Sequence, residues 1–197
     1  MNRRRLIFIA FILVALAQLF VPWHMISKQA GTAGTGAEFK FKTESEVRRG
    51  DNLAGSSLRG KFIWLHFAEN HIKIADKKEW QENQSAYVMF TEDSAGFAKI
   101  KSVTKVKPEG SSDWVRARVY VNWKDSTLLQ ITYPFNEYYI EDTNHQAVDS
   151  VIKNGLNDSL KVNYLKVKIK DNQFMVSDLM IDGRPFKEII NGLRKTQ

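Results

Sequence analysis

The pattern of hydrophobic positions divides the chain into two unequal parts. An apolar run covers residues 6–26 and is preceded by three consecutive arginines. Its length is close to the roughly 20 helical residues that cross the hydrocarbon core of a bilayer. Positive charges before a membrane helix favour a cytoplasmic N-terminus. The pattern therefore predicts a bacterial-type, single-pass anchor over residues 1–26 in the cytoplasmic membrane, with the remaining chain outside the cytoplasm.

The same segment has an alternative interpretation as a cleavable signal peptide. Residues 15–17 read Ala-Leu-Ala, the small-x-small pattern that signal peptidase recognises after a short apolar core. The apolar stretch nevertheless continues through residues 19–23, where the chain after a cleaved signal is normally polar. We therefore expect a retained anchor and keep cleavage after Ala17 as the alternative. In both cases the remaining chain is exported.

The long second part alternates between apolar and polar residues. It begins with residues 27–37, which are small, polar and rich in glycine, as in a flexible linker. From residue 38 the period is two, which is typical of strands with one buried face. Strands are predicted over residues 38–42, 60–67, 86–91, 97–106, 115–123, 128–133, 162–170 and 173–181. The last two are predicted to form a hairpin across Asp171 and Asn172, with Lys166, Lys168 and Lys170 facing water.

One stretch of the exported part has helical periodicity instead. Its apolar positions are Ala147, Val148, Val151 and Ile152. They share one face of a helix predicted over residues 144–154, which Gly155 can end. Many short strands with one helix predict a mainly β domain over residues 38–197. Its expected form is an antiparallel barrel or sandwich with one packed α-helix.

The composition narrows the classes of function. Hydrophobic residues make up 43% of the chain and charged residues 26%, which is typical of a folded protein. The chain has no cysteine, so disulfides and thiolate metal sites are excluded. Beyond the three N-terminal arginines, 26 lysines and arginines face 22 acidic residues. This mild excess suits a protein near an anionic membrane and does not by itself indicate nucleic acid.

Residues 59–67, with the sequence RGKFIWLHF, resemble the signature of the GDYXXLXY family of uncharacterised membrane-anchored proteins. The glycine, leucine and aromatic positions of that signature are filled by Gly60, Leu65, Phe62 and Phe67. Lys61 stands where the family has an aspartate, which leaves the role of that carboxylate open in this chain.

The resemblance extends over nearly the whole chain. Four further segments carry it: residues 18–22, 38–43, 137–140 and 179–183. It implies a membrane topology and a β-rich fold, and it implies no reaction. Members of the family are often encoded beside multi-spanning membrane proteins, which implies a partner in the membrane.

The signature itself has the pattern of a strand that is apolar on both faces. One face carries Ile63, Leu65 and Phe67, and the other carries Phe62, Trp64 and His66. Such a strand is usually covered on both sides, so we expect a core strand entered by a turn at Gly60. The alternative is a groove in which Trp64 and His66 contact a partner.

Two groups of polar residues resemble known functional sites, one a zinc site and the other a serine/lysine pair. His66, Glu69 and His71 resemble a zinc-binding helix motif, but one residue too many separates Glu69 from His71. We therefore expect no metal and no cofactor. Ser56, Ser57 and Lys101 loosely resemble the layout of bacterial signal peptidases, in which a lysine activates a serine. This resemblance supplies the alternative function, a membrane-anchored serine/lysine hydrolase.

The basic face of one predicted strand is the remaining candidate site. Arg116, Arg118 and Tyr120 alternate with Val115, Ala117 and Val119. Basic and aromatic residues on one face can bind nucleic acid, but export to a compartment without nucleic acid argues against that ligand. An anionic glycan or a lipid headgroup remains open. The function expected is a non-enzymatic accessory or binding domain beside an integral membrane protein, with no prediction of its oligomeric state.

Overall fold

The alternating segments form antiparallel strands in the computed structural model, which describes residues 3–194 apart from 45–47, 51–60, 75–78, 123–124, 126 and 141–144. The strands are β1 (Ala37–Lys42), β2 (Arg48–Gly50), β3 (Lys61–Trp64), β4 (His71–Lys73), β5 (Gln84–Glu92), β6 (Ala98–Thr104), β7 (Trp114–Val121), β8 (Leu128–Thr132), β9 (Glu137–Ile140), β10 (Asn163–Lys170), β11 (Gln173–Ile181) and β12 (Arg184–Pro185). The helices are α1 (Arg3–Thr35), α2 (His145–Val151, continued by a π-helical turn over Ile152–Leu156) and α3 (Phe186–Arg194).

The described strands belong to three sheets that together make a nearly closed barrel. Their orders are β1-β10-β11-β12, β2-β3-β9 and β4-β8-β7-β5-β6. Backbone contacts join the sheets: Thr43, after β1, pairs with Phe67, after β3. The amide of Asn172, in the turn between β10 and β11, donates to the carbonyl of Trp114 in β7 at 3.1 Å. The predicted antiparallel, mainly β architecture is therefore confirmed.

The core is an aromatic cluster at the junction of the three sheets. Phe41 in β1 has no solvent exposure. Its ring centroid lies 4.8 Å from that of Phe135, 5.1 Å from Phe90, 5.6 Å from Tyr133 and 5.7 Å from Phe67. Tilted and edge-to-face pairs at these distances contribute beyond the area they bury. Phe41 therefore packs β1 against β5 and against the segments that follow β3 and β8.

Two hairpins turn through left-handed residues. β10 and β11 are joined by Asp171 and Asn172, with φ angles of 47° and 66°. β11 and β12 are joined by Asp182 and Gly183, with φ angles of 48° and 78°. Positive φ at both central residues is the type I′ turn, whose twist matches that of the flanking strands. The turn predicted between residues 170 and 173 is therefore present.

Two exposed glycines make a matched test of this turn. We expect Gly183→Ala to destabilise the domain by about 1–2 kcal/mol, because a Cβ strains the left-handed conformation. Gly192→Ala, in α3, should instead stabilise it by roughly 0.5–1 kcal/mol, because alanine loses less backbone entropy in a helix. An added Cβ has no atom within 4 Å at either position. Chemical denaturation of the full chain measures both, and equal effects would contradict the explanation.

In the described residues after α1 the structure has two helices, α2 and α3, whereas the sequence predicts one packed helix there. α2 begins at His145, close to the predicted start, and its π-helical turn continues through Gly155 to Leu156. α3 was not predicted, although its buried residues Phe186 and Ile190 belong to the core. α3 begins directly after β12, a strand of only two residues, so no polar linker in the sequence marks the start of the helix.

The π-helical turn lies close against β11. A Cβ on Gly155 would be 3.2 Å from Cγ2 of Ile181, so only glycine allows this approach without a shift. The buried side chain of Asn163, at the start of β10, donates from Nδ2 to the carbonyls of Gly155 at 3.1 Å and Leu156 at 3.2 Å. The side chain of Asn163, on β10, therefore caps the carbonyl groups at the C-terminal end of the helix.

α1 continues through the residues that the sequence predicts to be a linker. It ends at Thr35, so residues 27–35 are helical rather than flexible. Nζ of Lys168 donates to the Ala33 carbonyl at 2.6 Å, and Nζ of Lys170 donates to Oγ1 of Thr35 at 2.6 Å. Cations at the C-terminal end of a helix stabilise its carbonyl groups. The alternation in β10 predicts that these lysines face water, which is wrong: both are half-buried under α1.

Across the described residues, we find no helix whose length and apolar character together would carry it through a lipid bilayer.

Candidate ligand and partner surfaces

The signature strand has one buried and one open face. Ile63, Leu65 and Phe67 are buried in the core. On the other face Phe62 is half-buried, Trp64 is 39% exposed and His66 is exposed. The expectation that both faces are covered is therefore wrong. The structure places Trp64 and His66 on an open surface, whereas the alternative interpretation predicts a groove.

The open face carries a cluster of rings, here called the aromatic face and defined by Phe62, Trp64 and Tyr139. β3 pairs with β9 so that Phe62 lies opposite Tyr139 and Trp64 lies opposite Glu137. The ring centroid of Phe62 is 5.3 Å from that of Trp64 and 6.0 Å from that of Tyr139. Tyr139 is 60% exposed. Contiguous exposed rings of this kind are typical of interaction surfaces.

The second candidate surface is the outer face of β7. Arg116 and Arg118 are exposed and Tyr120 is half-buried. Nε of Arg116 donates to Oγ of Ser85 at 2.6 Å, and Arg118 donates to the Asn83 carbonyl at 3.1 Å. The hydroxyl of Tyr120 donates to Oδ1 of Asn83 at 2.9 Å. Residues of β5 and the turn before it thus hold all three side chains against the sheet.

Two adjoining grooves lead from this surface towards the aromatic face. The basic groove, of about 470 Å³, includes Arg116, Arg118, Thr132, Asn172 and Phe174. The apolar groove, also of about 470 Å³, includes Pro134, Phe174, Val176, Tyr139 and Lys187. The grooves share Pro134 and Phe174. The apolar groove reaches Tyr139 of the aromatic face and also includes Glu137. Of the candidate residues that the sequence predicts, Arg116 and Arg118 line the basic groove, whereas Trp64, His66 and Tyr120 line neither groove.

The hydrolase candidates are not brought together within the described residues. Lys101 lies on β6 and its side chain is exposed. Ser56 and Ser57 lie outside the described residues, as does the signature glycine, Gly60. A lysine that activates a nucleophile requires a desolvated setting, which an exposed side chain does not have. The position of Lys101 therefore does not favour the hydrolase.

The polar cluster after β3 has a structural role. Oε2 of Glu69 accepts a hydrogen bond from Nζ of Lys99 at 2.7 Å, and Oε1 accepts one from the backbone amide of Ile100 at 3.1 Å. The hydrogen bond that Lys99 donates to the Glu69 carboxylate raises the pKa of Lys99. The Glu69 carbonyl accepts a hydrogen bond from the Tyr133 hydroxyl, and burial raises the pKa of that hydroxyl. Within the described part of the chain, no group of three or more His, Asp or Glu could hold a metal ion.

The signature residues that the structure describes have structural explanations. Leu65 and Phe67 are core residues, Phe62 supports the aromatic face, and Lys61 begins β3 opposite Ile140. Searches of curated proteins and of solved structures find no match. A family model described as "GDYXXLXY protein" matches residues 18–173 and confirms the resemblance seen in the sequence. This chain therefore belongs to the GDYXXLXY family.

Proposed function

We propose that this protein is an extracytoplasmic binding domain, anchored in the cytoplasmic membrane by the apolar segment over residues 1–26, that acts as a non-enzymatic accessory to an integral membrane protein. The observation that carries the proposal is the exposed apolar surface of α1. The large apolar side chains that the structure describes in this helix are exposed, including the consecutive residues Phe11, Ile12, Leu13 and Val14. Successive helical residues are about 100° apart, so four of them go around the helix. Moving each such side chain out of water contributes about 1.5–3 kcal/mol.

The orientation of the anchor follows from the sequence. The three arginines at positions 3–5 favour a cytoplasmic N-terminus. Residues 27–35 continue the helix for about 14 Å beyond the apolar run, at roughly 1.5 Å per residue. The bonds from Lys168 and Lys170 hold the β domain to this segment. The domain then lies close to the outer surface of the membrane, within reach of the extracytoplasmic loops of a membrane protein.

The aromatic face supplies a surface for the partner. Tryptophan and tyrosine are enriched at the centres of protein interfaces, where they bury a large area. Trp64 and Tyr139 keep this area exposed in the isolated chain. A binding role also fits the exposure of Lys101 better than hydrolysis does.

The test uses the full chain in its native host, with a photo-crosslinking amino acid in place of Trp64. The matched control carries it in place of Leu160, which is 92% exposed and lies outside the aromatic face. We expect the full-length mass in the membrane fraction and a crosslink to an integral membrane protein from position 64 only. Equal crosslinking from both positions would overturn the assignment of the partner surface. A soluble exported form beginning at Gln18 would overturn the anchor.

A further inference from the structure

We propose that the basic groove beside β7 binds a phosphate group carried by an amphiphilic molecule, and that Arg116 and Arg118 hold the phosphate. The inference stands independently of the anchor and of the partner surface. Residues two apart on one strand face are about 7 Å apart along the chain. Both guanidinium groups can therefore contact the same phosphate.

The charge of the groove is uncompensated. Neither arginine forms an ion pair with a carboxylate in the described part of the chain. The residues that line the groove include no aspartate and no glutamate. Two unpaired guanidinium groups within one groove attract an anion, and their planar forks match the oxygens of a phosphate.

Both arginines are already positioned for a ligand. Arg116 uses Nε for Ser85, and Arg118 uses one terminal nitrogen for the carbonyl of Asn83. A guanidinium group has five N–H donors. Within the described residues, the other donors of both groups make no hydrogen bond. Binding therefore requires little further ordering of either side chain, which reduces the entropic cost.

Neutral donors complete the polar end of the groove. Ser85 and Thr132 are the cross-strand neighbours of Arg118 on β5 and β8, so their hydroxyl groups share its face. Oδ1 of Asn172 accepts the backbone amide of Arg116 at 2.7 Å. This bond fixes the orientation of the side-chain amide, and its NH₂ group remains available as a donor. Hydroxyl and amide donors beside arginines are typical contacts of phosphate oxygens.

The adjoining apolar groove indicates that the rest of the ligand is apolar. Phe174 and Pro134 line both grooves, and Val176 continues the apolar wall. A molecule with its phosphate at the arginines therefore has an apolar surface beside it. Each groove falls within the range of about 300–1,000 Å³ that is usual for small-molecule sites. Two sources share this chemistry: the glycerophosphate headgroup of a membrane lipid, and a soluble phosphate ester.

The experiment uses the full chain in nonionic detergent. One arm titrates glycerol 3-phosphate by calorimetry, and the other measures retention of phosphatidylglycerol by native mass spectrometry. We expect Arg116→Ala and Arg118→Ala each to weaken binding about 10- to 100-fold, as for the loss of a hydrogen bond to a charged group. Arg116→Lys keeps the charge but should also weaken binding, because lysine lacks the fork.

Arg184→Ala is the charge-matched control, since Arg184 is exposed on β12 outside both grooves. It should leave either affinity within about twofold, as for a screened surface charge. Unchanged circular dichroism shows that each variant is folded. Binding in only one arm identifies the source of the phosphate. Binding in neither arm, or equal weakening by Arg184→Ala, would overturn the proposal.

Discussion

Phe41→Ala is expected to lower the free energy of unfolding of the β domain by about 3–5 kcal/mol, the usual cost of removing a fully buried phenylalanine. Phe41 has no exposed surface, and four other rings surround it. These rings lie on β5 and on the segments that follow β3 and β8, which are held by different strands, so they cannot all move inward to fill the space. The residual cavity therefore adds to the lost transfer free energy.

Urea denaturation of the full chain in detergent measures this change, with Phe62→Ala as the control. The control removes the same atoms from a half-buried ring on the outer face of β3. It should cost clearly less than Phe41→Ala, because a solvent-exposed site leaves no closed cavity. Equal losses for the two variants would show that Phe41 is not the centre of the core. A free energy of unfolding of about 5–15 kcal/mol is usual for a domain, so Phe41→Ala removes a large share of the total stability.

Asn163→Leu is expected to destabilise the domain by about 1–3 kcal/mol, because it removes the side-chain donor from the buried carbonyls of Gly155 and Leu156. The side chain of Asn163 is 3% exposed and donates to the carbonyls of Gly155 and Leu156. Leucine has a similar size but no N–H group. The Gly155 carbonyl would keep only the Asp158 amide, at 3.3 Å, and the Leu156 carbonyl would lose its side-chain donor.

Asn154→Leu provides the comparison, since Asn154 is exposed on the same turn and donates to Oγ of Ser150 at 3.3 Å. Its effect should remain within about 0.5 kcal/mol, as is usual for surface positions. Thermal denaturation of both variants measures the difference. If Asn163→Leu cost no more than Asn154→Leu, the capping explanation would be wrong.

The longer strands were predictable because their period is a local property, whereas the short strands β2, β4, β9 and β12 were not predicted. Along β7 the residues Val115, Ala117 and Val119 are buried, and the arginines between them are exposed, as the alternation predicts. The hairpin turn at Asp171 and Asn172 was predictable for the same reason, since these residue types tolerate positive φ. Side-chain period and turn chemistry are both determined within a few residues.

The conformation of residues 27–35 depends on contacts that are distant in sequence. Glycine disfavours a helix by roughly 1 kcal/mol per residue, so Gly31 and Gly34 made a flexible linker the natural expectation. Lys168 and Lys170 bind the end of this helix from 135 residues away. The local pattern contains no sign of that contact. The same limitation affects the prediction that these lysines face water.

The candidate site was predictable only in part. The basic face of β7 and the alternative position of Trp64 both follow from alternation within one strand. The groove beside β7 does not follow from one strand, because Asn172 and Phe174 come to Arg116 and Arg118 from the β10–β11 hairpin. Asn172 was interpreted only as a turn residue. Its second role, as an acceptor for the Arg116 amide, depends on how the sheets meet.

The junction between α1 and β1 has a mechanical consequence. Gly36 is the single residue between them, and a Cβ there would lie 2.6 Å from the Thr32 carbonyl oxygen. Only glycine fits at this joint, and its amide donates to the Thr32 carbonyl at 2.9 Å. Lys168 and Lys170 bind the end of α1 from β10, so a partner that tilts or rotates α1 would pull on the β10–β11 hairpin. Because Asn172 at the tip of that hairpin is bonded to Arg116, torque on the helix would be transmitted to the mouth of the basic groove.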